Sequence, residues 1–79
     1  MQYYAYPAVR QYLNGARLSM PAGDWIKMQA KTMVKKFVRE RRTGSYTYLI
    51  AVPAGQAVKT EVCAMPGGYR VLMTEIVKT

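Results

Sequence analysis

Two periodicities divide the chain. From Trp25 to Arg42, apolar residues return on the helical period. At about 100° per residue, Ile26, Ala30, Met33, Val34 and Phe37 share one arc, and Val38 lies at its edge. Lys27, Lys31, Lys35, Arg39 and Arg42 form an adjoining stripe. No Pro or Gly interrupts this segment. Pro21 suits a first helical turn, where its missing N–H would be unpaired anyway. Asp24 favours the positive end of the helix dipole, as cap or first-turn residue. Gly44 follows Arg41-Arg42-Thr43, giving cations and then a terminator. The spacing therefore predicts one long helix with an apolar face and a basic flank.

After Gly44 the period becomes two. Ser45–Val52 (SYTYLIAV) is rich in β-branched and aromatic residues. Ala57–Met65 (AVKTEVCAM) alternates, with Val58, Val62 and Ala64 opposite Lys59 and Glu61. Tyr69–Lys78 (YRVLMTEIVK) reads as a further strand. Pro53-Ala54-Gly55-Gln56 and Pro66-Gly67-Gly68 mark the turns between them. Three strands with short connections predict a C-terminal antiparallel meander.

The N-terminal third is ambiguous. In QYLNGARLSMP, Asn14-Gly15 carries the strongest local hairpin signal, because both residue types tolerate the positive φ of a type I′ turn. A two-residue loop would set Leu13 opposite Ala16 and Gln11 opposite Leu18. The alternative is a short helix, with Ala8, Val9, Tyr12 and Leu13 on one face, Pro7 starting it and Gly15 capping it. Tyr6 is no N-cap, and so short a helix is marginal. Both readings put Gly15 at positive φ. The hairpin is favoured, which predicts one α+β domain over residues 1–79 in the order ββαβββ, its helix packed on an antiparallel sheet.

The strands are apolar on both sides. Tyr46, Tyr48, Ile50 and Val52 oppose Leu49 and Ala51, and Leu72 and Ile76 oppose Val71, Met73 and Val77. One helix covers one face of a sheet, so the other face is expected to meet a second copy, a partner protein or the N-terminal segment. Tyr3-Tyr4-Ala5-Tyr6 reads as an N-terminal strand or arm, and tyrosines offer large contact area at low entropy cost. Tyr3, Tyr4, Tyr6, Tyr46 and Tyr48 are the candidate protein-interface residues, and a homodimer is the simplest assembly.

Charge sharpens this picture. Twelve Lys and Arg face four acids, a net +8 without histidine, in a chain of 79 residues that is 51% apolar. Seven of the twelve cations lie between Lys27 and Arg42. Such a balance favours polyanionic partners. The single cysteine, Cys63, cannot form an intrachain disulfide, and no basic region followed by an apolar run opens the chain. The longest uncharged stretch, Thr43 to Val58, contains Pro53 and Gly55 and is too short to span a bilayer. A cytoplasmic location without membrane association is expected.

Catalytic chemistry finds little purchase. There is no histidine for general-base work or zinc binding, one cysteine builds no thiolate site, and Asp24, Glu40, Glu61 and Glu75 fall in separate segments. No glycine loop precedes a helix to cradle phosphate. Cys63 reads as a packed small hydrophobe. The one surviving route is that of ribonuclease toxins that work with Arg, Lys and Tyr, for which Tyr69-Arg70 would be the pair to watch. No enzyme activity, cofactor or metal is expected.

The leading expectation is a non-catalytic protein engaging nucleic acid through backbone phosphates. Its candidate contacts are Arg10, Arg17, Lys27, Lys31, Lys35, Lys36, Arg39 and Arg42, with Tyr12 beside the first two if the hairpin forms. A lysine-rich row suits phosphate contact more than base reading. The second expectation is an inhibitor or adaptor, such as a phage or mobile-element protein that blocks a host nucleic-acid machine by protein contacts, in the manner of anti-CRISPR proteins. This is an analogy of class, since no residue motif here defines such a family. The partner would then be an acidic or nucleic-acid-binding protein surface.

Overall fold

A computed structural model describes residues 1–53 and 55–78. The elements run β1 (Gln2–Ala5), α1 (Pro7–Asn14), α2 (Ala22–Arg39), β2 (Ser45–Ala51), β3 (Gln56–Met65) and β4 (Gly68–Lys78). The four strands form one sheet in the order β1-β4-β3-β2. The expected meander β2-β3-β4 is present and antiparallel. Both helices pack on one face of the sheet, so the α+β architecture holds.

The N-terminal order differs from expectation. Asn14-Gly15 is not a hairpin turn but the end of α1, and the order is βααβββ. Non-local pairing decides this. β1 lies parallel to β4, with Tyr3 opposite Val71 and Ala5 opposite Met73. After Ala5 the chain leaves the sheet at Tyr6-Pro7 and enters α1. Tyr6 N–H donates to Met73 O at 2.9 Å, Pro7 follows at the first helical turn, and Tyr6 O accepts from the N–H groups of Val9 and Arg10. Val9 and Leu13, one turn apart, are then buried against Ala5, Met73 and Ile26. Gly15 does not have positive φ: its φ is −96° and ψ 0°. The left-handed residue is Arg17, at φ 54°.

The α2 helix follows Pro21, with Asp24 in its first turn. Ile26, Ala30 and Phe37 are buried as the periodicity predicts, and Met33 and Val34 are partly buried. Trp25 is buried as well, beside the α1 residues. The helix stops at Arg39, three residues short of the expected end. Arg42 N–H donates to Phe37 O and Arg41 N–H to Val38 O, the paired bonds of a Schellman motif. Its left-handed residue is Arg41, at φ 57°, where glycine is the usual occupant. Gly44 terminates nothing helical.

Two clusters make the core. Ala5, Val9, Leu13, Trp25, Ile26, Ile50, Val52, Val58 and Met73 form one, and Ala30, Phe37, Tyr48, Val62 and Val71 the other. The buried Thr60 hydroxyl donates to Val58 O at 3.2 Å. A register shift alters the expected faces of β4. Lys59 pairs with Glu75 but Thr60 pairs with Met73, which leaves Thr74 unmatched. Ile76 therefore joins Val71 and Met73 on the core face, opposite Val58, and Val77 turns outward with Leu72.

Candidate nucleic-acid interface

The basic flank of α2 stands as expected on one helical face. Lys27, Lys31, Lys35 and Arg39 are all exposed. Successive i, i+4 steps rise about 6 Å, so the row is about 18 Å long. Two ion pairs occur among the described residues: Arg42–Glu40 at 2.8 Å and Lys59–Glu75 at 3.5 Å. Neither involves a residue of the row. Lys36 lies outside it, exposed, with Nζ 5.3 Å from the centre of the Tyr48 ring.

Arg42 is not part of the row either. It lies beyond the helix end and turns back. Its guanidinium carbon sits 3.4 Å from the centre of the Tyr46 ring, and its Nε donates to Glu40 Oε1. The same oxygen accepts the Tyr48 hydroxyl at 2.7 Å. The Tyr48 bond, then the Arg42 bond, holds the Glu40 carboxyl below its ordinary range. Burial, then the bond to Glu40, pushes the Tyr48 phenol up, and the bond to Glu40 raises Arg42. Tyr46 and Tyr48 themselves meet edge to face at 4.9 Å. This knot ties the end of α2 to β2. Sequence reasoning missed it, because Glu40 and Tyr48 are brought together only by the turn between them.

The other predicted contacts separate. Arg10 is on α1 and donates its Nε to Ala5 O at 3.3 Å. Arg17 is exposed in the connection between the helices. Tyr12 does not join them: its ring packs against the core cluster and its hydroxyl is buried without a hydrogen-bond partner. The surface expected from a hairpin is therefore not formed. Tyr3, Tyr4 and Tyr6 are 38%, 49% and 45% exposed on and after β1, so they do not fold over the outer sheet face. Tyr46 is 40% exposed beneath Arg42, whereas Tyr48 is buried.

Tyr69 and Arg70 are not brought together as a pair. Tyr69 packs edge to face on Phe37 at 6.0 Å, while Arg70 pairs with Cys63 on the opposite face, its Nε buried without a partner. A shallow pocket of about 160 Å³ opens beside Met1, Gln2 and the Pro66–Gly68 turn. Among the described residues, no three His, Cys, Asp or Glu side chains gather as a metal site. No helix is long and apolar enough to cross a membrane.

Charge is divided between the layers. Residues 6–44, which form the helical layer, hold nine of the twelve cations and two of the four acids, a net +7. The sheet segments hold the remaining +1. Comparison with protein-family models, curated proteins and solved structures returned no match. The functional reading rests on the chain's own residues.

Proposed function

We propose that this protein binds nucleic acid through backbone phosphates, with Lys27, Lys31, Lys35 and Arg39 as the principal contacts. The observation that carries this reading is their row: four exposed cations on one helix with no acid paired to them. Its length of about 18 Å equals about five base-pair rises of 3.4 Å along the axis of a duplex. Neutralising about four phosphates releases their counterions, which supplies affinity without base reading. Arg42 contributes less than its position in the chain suggests, because Glu40 and Tyr46 hold it.

Fluorescence anisotropy with a labelled duplex, repeated across salt concentrations, tests this. The slope of log affinity against log salt is expected near −4. Replacing Lys31 and Lys35 by Ala reduces that magnitude by about 2, while replacing Lys59 and Lys78 by Ala leaves it unchanged. Absence of binding even at low salt overturns the proposal. The bare outer face, with Leu49 62% exposed, supports the second reading, an inhibitor or adaptor that docks on another protein.

A further inference from the structure

The β2 strand is an open edge of unusual composition. Val52 N–H donates to Gln56 O and Ala64 N–H to Gly44 O. Between these two bonds the β2–β3 register is unbroken. In an antiparallel pair, hydrogen-bonding positions alternate. The even-numbered residues of β2 thus spend their backbone groups on β3. Ser45, Thr47, Leu49 and Ala51 point theirs outward, and all four are exposed. Among the described residues these outward groups have no backbone partner.

Proteins normally blunt such an edge with lysine, proline or a bulge. SYTYLIA contains no charge and no proline, and its pairing with β3 shows no register shift. The opposite edge, β1, has four residues and ends at Tyr6-Pro7.

We infer that β2 pairs antiparallel with β2 of a second copy, joining two sheets into one of eight strands. The occupant follows from self-complementarity and charge. A twofold axis at Tyr48 sets Thr47 opposite Leu49 and Ser45 opposite Ala51, so every outward group on one strand meets one on the other. About eight backbone hydrogen bonds would form. No like charges oppose each other along the strand, and the sheet segments carry only +1. An acidic partner would be drawn to the helical layer instead, with its net +7. Of the cations beside the strand, Lys36 lies over Tyr48, Arg42 is bonded to Glu40, and Lys59, opposite Leu49 on β3, is paired with Glu75. A twofold contact also closes, where a head-to-tail pairing of β1 with β2 would propagate. Because each chain carries +8, the dimer tightens as salt screens that repulsion.

Sedimentation of the protein alone at micromolar concentration, from low to about 0.5 M salt, is the test. The expected mass is twice the 9.0 kDa of one chain, with association strengthening as salt rises. Thr47→Pro removes an outward N–H while leaving the β3 ladder bonds in place, so it gives a monomer with an unchanged circular dichroism spectrum. Leu49→Lys gives the same result by charging the edge. In the unmodified protein, amide exchange at Thr47 and Leu49 slows as concentration rises, whereas Tyr48 and Ile50 are protected throughout. A monomer at every salt concentration overturns the inference. So does a dimer that survives both substitutions, which would place the contact on another surface. No nucleic acid is present, so the outcome is independent of the phosphate-binding proposal.

Discussion

The helical layer and the sheet solve different problems. Residues 6–44, the two helices and their connections, carry a net +7, and the helices bury their apolar arcs against a single face of the sheet. The sheet is almost neutral, yet among the described residues its other face has no helix and its longer edge, β2, has no strand partner. Repulsion among the α2 cations is tolerable because they are exposed and water and salt screen them. A bare sheet edge finds no such relief, since its groups call for a partner with strand geometry. The proposed polyanion contacts and the proposed self-association thus fall on different layers.

The most severe way to break this division is to separate the layers. Phe37 is 1% exposed and joins α2 to Val62, Val71 and Tyr69. Phe37→Ala is expected to cost about 3–5 kcal/mol in urea unfolding, with helix and sheet signals lost together. Helix loss without sheet loss would show that the sheet stands alone.

A smaller change isolates the end of α2. Arg41 adopts φ 57° in the Schellman turn, which suits glycine better. Arg41→Gly should stabilise the fold by about 0.5–1 kcal/mol on thermal unfolding, net of the greater chain entropy of glycine. Its effect on duplex affinity should be minor, because Arg41 lies outside the row. A large affinity loss would extend the phosphate surface past the helix end.

The finest probe is Glu40, which links the layers through Tyr48. Its folded pKa is lowered, so the stabilisation from its ionised form is present at neutral pH. That stabilisation is lost as pH falls through the lowered value. A carboxyl NMR titration should place its midpoint below the ordinary value of about 4.3. Tyr48→Phe should move the midpoint up by removing the largest cause of the shift. An ordinary midpoint in the unmodified protein would dissolve the knot.

The parts legible in the sequence are those that a local period determines. The i, i+4 apolar arc placed α2 and its basic row, and alternation placed β2, β3 and β4 to within a residue or two. What stayed hidden depends on residues far apart. Asn14-Gly15 is locally a hairpin signal, but pairing of β1 with β4 turns Pro7–Asn14 into a helix over Met73. The unmatched Thr74 exchanged the faces of Ile76 and Val77 without any glycine or proline to announce it. Arg42 looked like one more cation on the stripe. The early helix end carries it off that stripe and onto Tyr46.

The parallel pairing of β1 with β4 also orders assembly in time. The β2-β3-β4 meander closes through neighbouring segments, whereas β1 must wait for a strand some seventy residues distant. Long-range pairing of this kind slows folding. Until β4 is in place, Tyr3, Tyr4 and Tyr6 have no ladder beside them, and Val9 and Leu13 lack the surface of Met73 that buries them. On a ribosome, β1 would emerge well before the strand that secures it. A tyrosine-rich strand would meanwhile stand open to chaperones and to other nascent chains.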